Sequence, residues 1–84
     1  MKYKVFLSKR AEKFLKNLEE AAEERIKEKL RLLADNPFCL PYKKVKGRNK
    51  TYRIRVGDFR VLYTVTSDEV RVLKVDWRKR VYKR

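Results

Sequence analysis

Three runs of alternating apolar and polar residues occupy positions 51 to 76, and two tight turns separate them. Gly57-Asp58 makes the first turn, and residues 67–69 make the second. Because a two-residue turn joins only antiparallel neighbours, this pattern predicts three antiparallel strands at about 51–56, 59–66 and 70–76. No other feature of the sequence restricts the fold as strongly.

The first half of the chain predicts one strand and two helices. Residues 2–7 alternate as a short strand, and Ser8 offers an N-cap for a first helix that runs to about position 19. The second helix ends by Asn36, because Pro37 disfavours the helical conformation of the residue before it. Its inner face carries Ala22, Ile26, Leu30 and Leu33.

These elements predict one α+β domain over residues 1–84, with the order β-α-α-β-β-β. Both helices are expected to pack on one face of a mainly antiparallel four-stranded sheet. The long segment between the second helix and residue 51 contains two prolines and a glycine, and it is expected to be a loop. The position of the first strand in the sheet stays open, because its pattern does not select a neighbour.

The net charge of the chain is +14 over 84 residues, which is more than solubility requires. Such a field predicts a polyanionic partner, with nucleic acid as the first candidate and an acidic protein segment as the second. A membrane surface is disfavoured, because no basic amphipathic helix has a wide apolar face. Charge alone therefore predicts binding to a polyanion.

The chain has one cysteine and no histidine. Cys39 stands between Phe38 and Leu40, and without a histidine to activate it we expect a small core residue and not a nucleophile. A single cysteine forms no internal disulfide, which is typical of a reducing compartment. No apolar run is long enough for a signal peptide or a membrane span, so we expect a cytoplasmic protein.

The arginines of the first hairpin are the candidate functional residues. Period two places Arg53 and Arg55 on one side of their strand, and Arg60 joins them if the apolar sets face the helices. Arginine suits bidentate phosphate binding, and residues two apart lie about 7 Å from each other along a strand. No acidic residue occurs between Asp35 and Asp58. Five further basic residues of this stretch are expected to bind RNA: Lys43, Lys44, Lys46, Arg48 and Lys50.

Two segments of the sheet, YRIRVGDFRVLYTV at 52–65 and VRVLKVDWRKRVY at 70–82, carry a resemblance to a known family. They resemble the strands of the RelE/ParE toxin superfamily, and the similarity covers essentially the whole chain. In the RelE branch the toxin cleaves mRNA in the ribosomal A site, and an acidic antitoxin wraps and silences it. The resemblance implies a type II toxin that acts as a ribosome-dependent endoribonuclease through attack of the RNA 2′-OH, without a metal or cofactor.

The resemblance also implies which residues act. The family's catalytic positions fall on Arg53, Arg55, Arg60, Arg78 and Tyr82. RNA contacts after the last strand are expected from Trp77, Lys79 and Arg80. Asp76-Trp77 stands where relatives carry Gly-His or Gly-Lys, and the absence of histidine excludes the Glu/His acid-base scheme of some members. Proton transfer is left to Tyr82, Lys79 or an Asp76 held ionised by Arg78, although Asp76 is better interpreted as a salt-bridge partner.

Two other functions stay open. A ParE-like toxin would inhibit DNA gyrase without catalysis, and it would share the hairpin but generally lack the full set of basic residues and tyrosine. A plain nucleic-acid-binding module would need only the charge. The five filled positions favour the nuclease.

Overall fold

The computed structural model describes residues 2–78 of the chain, which form two helices and five strands. In chain order these are β1 (Lys4–Leu7), α1 (Lys9–Lys16), α2 (Glu20–Asp35), β2 (Tyr42–Lys44), β3 (Thr51–Val56), β4 (Phe59–Val65) and β5 (Glu69–Trp77). The sheet has the order β1-β5-β4-β3-β2, and the two helices cover one of its faces. The α+β class expected from the sequence is confirmed.

The antiparallel meander of β3, β4 and β5 forms as its alternation predicts. Ile54 pairs with Val61, and Val61 pairs with Val75, so buried side chains line up across the three strands. Gly57 occupies the turn with a φ of 58°, a conformation that glycine adopts without steric penalty. A register shift between Leu62 and Tyr63 adds one residue on the β5 side of the β4–β5 pair.

The expected strand count of four was wrong, because the segment after α2 contributes a further strand. Strand β2 pairs antiparallel with β3, with Tyr42 opposite Ile54 and Lys44 opposite Tyr52. All three residues of β2 are exposed, so the strand shows no alternation of buried and exposed positions. This strand is identified by its backbone hydrogen bonds to β3, which its hydropathy pattern could not predict.

Strand β1 pairs in parallel with β5, which makes the sheet mixed. Val5 lies opposite Val70, and the Ser8 N–H donates to the Val72 carbonyl oxygen at 2.9 Å. The connection between the two strands includes both helices and the β2–β3–β4 strands. Strand β1 therefore forms one edge of the sheet and β2 forms the other.

Both helix boundaries that the sequence marked have the expected chemistry. The Ser8 hydroxyl accepts a hydrogen bond from the Ala11 N–H at 3.0 Å, which caps α1, and it donates to the Leu73 carbonyl at 2.8 Å. Helix α1 ends at Lys16, earlier than predicted, because its chain turns through Asn17 before α2 begins. Asn36 is extended, with φ −154° and ψ 109°, as expected before Pro37.

The core lies between the helices and the meander, and Tyr63 is its largest fully buried side chain. The Tyr63 hydroxyl donates to the Pro37 carbonyl at 2.8 Å, and burial raises the pKa of this phenol. The core position expected for Cys39 was wrong: Cys39 is exposed, because Pro37 takes the buried place at the end of α2. Neither helix of the described segment is long and apolar enough to cross a membrane.

Candidate functional site

Three arginines project from the face of the sheet that the helices leave free. The β3–β4 register places Arg55 opposite Arg60 and Arg53 opposite Leu62. The intervening pair, Ile54 and Val61, is buried on the helix-facing side. Cross-strand partners point the same way, so the three guanidinium groups share one surface, as the alternation predicts.

The charge of this surface is only partly compensated, because the one carboxylate opposite these strand arginines in the described residues is that of Asp76, across from Arg60. Arg55 and Arg60 are direct cross-strand neighbours, and like charges in that position destabilise a sheet. Within residues 2–78, no carboxylate lies within 4.0 Å of these guanidinium groups or of Arg53, although Arg71 pairs with Glu69 at 2.9 Å elsewhere on the same face. Arg55 and Arg60 are therefore adjacent cations without a salt bridge in the described residues, an arrangement that suits an anion.

Two concave regions border these arginines. The larger one, here called the arginine groove, has a volume of about 350 Å³ and is lined by Pro41, Tyr42, Lys43, Arg53 and Arg55. The smaller one has a volume of about 120 Å³ and is lined by Arg53, Arg60, Leu62, Lys74 and Asp76. Arg53 contributes to both, and Lys43 extends the positive charge because it lies opposite Arg53 in the β2–β3 pair. A phosphate chain could follow this continuous basic surface.

Asp76 lies beside the arginines but is an ion-pair partner. Its Oδ2 is 3.3 Å from the Lys74 Nζ, and its Oδ1 accepts a hydrogen bond from the Trp77 N–H at 2.8 Å. Burial by itself would raise the pKa of Asp76, but the Trp77 N–H, Lys74 and Arg60 together lower it below its ordinary value. This carboxylate is a weak base at neutral pH; its salt-bridge partner is Lys74, and the groups that hold it ionised are the Trp77 N–H, Lys74 and Arg60, where the sequence suggested Arg78.

Arg78 lies at the turn between β3 and β4. Its backbone N–H donates to the Asp58 carbonyl at 2.7 Å, and its Nη1 donates to the Gly57 carbonyl at 3.0 Å. Arg55 and Arg60 form the second residue pair from this turn. The guanidinium group of Arg78 is therefore held at the same end of the sheet as the strand arginines.

The other expected RNA-binding residues are placed differently. Trp77 lies on the helix-facing side, where its ring packs 4.5 Å from that of Phe59 and 6.5 Å from that of Phe14, so it does not share a face with the arginines. Exposed residues in the connection between β2 and β3 are Lys46, Arg48 and Lys50. Residues outside the described part of the chain include Lys79, Arg80 and Tyr82.

Comparison with known proteins identifies the family. The family model for the ParE toxin of type II toxin-antitoxin systems (parDE) matches residues 5–82. The chain belongs to this toxin family. RelE1 of Methanocaldococcus jannaschii is 35% identical to the toxin over 88 residues, which cover 99% of this chain and 98% of that protein.

Solved structures give the same result and support the RelE branch. RelE from the archaeal RelE–RelB complex of Pyrococcus horikoshii OT3 matches with a TM-score of 0.84 and 31% identity, covering 96% of this chain and 100% of that one. The isolated RelE toxin of E. coli matches with a TM-score of 0.80 and 25% identity. The match covers 94% of the chain described here and 87% of the E. coli chain. The RelE-like resemblance that the sequence motifs carried is confirmed.

An aromatic cluster beside the arginine groove was not expected from the sequence. It consists of Phe38, Tyr42 and Tyr52, whose ring centroids lie 5.1–5.5 Å from one another. Tyr52 is half-buried, whereas Phe38 and Tyr42 are exposed. The sequence does show these aromatic residues within a strongly basic stretch. Predicting that their rings are in contact, however, requires the position of β2 in the sheet.

Proposed function

We propose that the toxin is an endoribonuclease that cleaves mRNA in the A site of the ribosome. The observation that carries this proposal is the set of Arg53, Arg55 and Arg60 on one sheet face, none of which forms a salt bridge within residues 2–78, with Arg78 held at the same end. Four permanent cations around one surface suit the developing charge of a phosphate under attack. The similarity to RelE toxins supports the same reaction.

In this reaction the RNA supplies its own nucleophile. The 2′-oxygen forms a bond to phosphorus while the bond from phosphorus to the 5′-oxygen breaks, so one proton must leave the 2′-OH and one must reach the leaving group. Arginine stays charged and cannot take the first proton. The guanidinium groups instead bind the phosphate and stabilise its added negative charge, at about 3 to 4 kcal/mol for each well-placed donor.

Orientation supplies a further part of the rate enhancement. Holding the 2′-OH in line with the departing oxygen contributes roughly 7 kcal/mol or more. Because Asp76 is paired with Lys74 and is a weak base, the proposal leaves proton transfer to Tyr82 or Lys79. Tyr82 is the first candidate, because it occupies a position that the family resemblance assigns to catalysis.

Primer extension on translated mRNA tests the proposal. The purified toxin is added to ribosomes stalled with a defined codon in the A site, and the new 5′ ends are mapped; the same mRNA without ribosomes is the control. We expect cuts at the A-site codon only when ribosomes are present. Absence of cuts together with loss of gyrase-dependent DNA supercoiling would support the second candidate, a gyrase inhibitor, which the ParE description of the family favours.

We also propose that the toxin acts in the cytoplasm and is silenced by an acidic antitoxin that folds over the helices and a sheet edge. A groove of about 690 Å³ lies between α2 and the edge strand β1. Its apolar lining includes Val5 and Leu30, and its basic lining includes Lys4, Lys27 and Arg31. An acidic segment with periodic apolar residues matches both features, and relatives have been solved as RelE–RelB complexes.

The thermal midpoint of unfolding tests this partner. The cognate antitoxin at 100 times its dissociation constant should add about 2.7 kcal/mol, which raises the midpoint by about 10 °C or more. Lys4→Glu, on β1, should reduce this shift, whereas Lys13→Glu, exposed on α1 and away from the groove, should not. An unchanged midpoint at saturating antitoxin would contradict the proposal.

A further inference from the structure

The aromatic cluster of Phe38, Tyr42 and Tyr52, here called the aromatic patch, lies where β2 forms the edge of the sheet. Phe38 packs edge-on against Tyr52 at 5.1 Å and lies 5.2 Å from Tyr42, and Tyr42 stands at 87° to Tyr52 at 5.5 Å. Phe38 is 40% exposed and Tyr42 is 43% exposed. Two large rings in contact with each other are thus both open to solvent, at a site that the proposed catalytic residues do not use.

The patch packs against the protein core on one side. The ring of Tyr52 rests 5.9 Å from that of the buried Tyr63, whose hydroxyl donates to the Pro37 carbonyl at 2.8 Å. The Phe38 N–H donates to the Asn36 Oδ1 at 2.9 Å, which fixes the turn after α2. A platform with fixed rings loses little conformational entropy when a ligand stacks on it.

Strand β2 connects the patch to the arginine groove. Lys44 lies opposite Tyr52 and therefore on the same face as the patch, whereas Lys43 lies opposite Arg53 on the arginine face. Tyr42 belongs to the patch and also lines the groove. A ligand that crosses this edge of the sheet would meet the rings and Lys44 on the helix-facing side, and Lys43 and the arginines on the other side.

We propose that the aromatic patch stacks on the base of an unpaired nucleotide whose neighbouring phosphates lie on Lys44 and in the arginine groove. Aromatic rings next to basic side chains are the usual means of binding single-stranded RNA, because every base has a face that stacks. The surroundings favour RNA over an acidic protein segment, since one ring of the patch, that of Tyr42, also lines the groove formed by Arg53 and Arg55. The inference rests on the proposed function in one respect, that the ligand is RNA.

Binding of a fluorescein-labelled RNA hexanucleotide, followed by anisotropy without ribosomes, tests the stacking. Tyr42→Ala should weaken binding by about 5- to 150-fold, the range for loss of one base–aromatic stack. Tyr42→Phe keeps the ring and should stay within about twofold of the wild type. The slope of affinity against salt should not change in either variant, because both keep every cation that binds a phosphate.

An RNA of the same length without bases separates stacking from charge. The wild type should bind this abasic RNA more weakly than the intact one by a factor similar to the loss in Tyr42→Ala, and the variant should bind both equally. Phe6→Ala is the matched control, because Phe6 is 42% exposed and lies at the opposite edge of the sheet, and it should bind as the wild type does. Thermal unfolding checks that the variants keep their fold.

The outcomes for stacking and for cleavage are independent of each other. Equal affinity of the wild type for intact and abasic RNA, or an unchanged affinity of Tyr42→Ala for intact RNA, overturns the inference whatever the cleavage assay shows. Base-dependent binding that Tyr42→Ala removes supports the inference even if no A-site cleavage occurs. In that case only the proposed function fails.

Discussion

Replacing Arg55 by alanine should move activity and stability in opposite directions. Arg55 is exposed and lies opposite Arg60, and no carboxylate within residues 2–78 pairs with it. If a residue is kept for folding, its removal should lower both cleavage activity and stability. A residue kept for binding a phosphate under attack should lower cleavage alone, because its charge is unfavourable until the phosphate arrives.

Both magnitudes follow from this geometry. Loss of one transition-state donor should reduce cleavage by about 100-fold or more. Two guanidinium groups about 7 Å apart in water repel each other by on the order of 0.6 kcal/mol, which agrees with the range for cross-strand pairs. Removing that repulsion should raise the thermal midpoint by about 2 to 5 °C at low salt, and the gain should vanish near 1 M salt.

Two assays on the same preparations decide the matter: primer extension on ribosome-bound mRNA, and thermal unfolding at low and high salt. Arg71→Ala is the matched control, since Arg71 lies on the same sheet face but pairs with Glu69 and stacks over Phe6. The control should cleave normally and gain no stability. Two results would refute the reasoning. One is full cleavage activity of Arg55→Ala, and the other is a loss of activity that the unfolded fraction of the variant accounts for by itself.

Three further predictions concern the same surface. Arg78→Ala should lower cleavage by about 100-fold. The double variant with Arg55→Ala should lose less activity than the two single losses combined, because both groups act on one phosphate. Fully additive losses would show that they do not. Changing Lys43, Lys44 and Lys46 together to alanine should reduce the slope of log RNA affinity against log salt concentration. The reduction should be about 0.7 for each phosphate that the variant no longer binds. An unchanged slope would place the binding surface elsewhere. Asp76→Asn should destabilise the toxin at neutral pH, and this difference should shrink as the pH falls below the ordinary pKa of 3.8 and disappear below the lowered pKa of the folded state, where both states bind the proton. The same variant should keep cleavage within about tenfold, and a loss of about 100-fold would restore Asp76 as the base.

The sequence was sufficient wherever the physical cause is local. The turn at Gly57-Asp58, the Ser8 cap and the stop before Pro37 each depend on a few adjacent residues, and all three form as expected. The side on which Arg53 and Arg55 point was also predictable, since alternation along one strand determines it once the apolar set is buried.

The tertiary structure alone decided which distant residues meet. The parallel pairing of β1 with β5 joins residues more than sixty positions apart, and no local pattern in β1 selects that neighbour. Strand β2 is exposed on all three residues, so only its backbone pairing with β3 reveals it. Cys39 is exposed, and the buried position of this segment is occupied by Pro37. The aromatic patch and its proximity to the arginine groove depend on that pairing. A hydropathy pattern predicts which residues are buried. It does not predict an exposed edge strand, because backbone hydrogen bonds alone hold such a strand in the sheet.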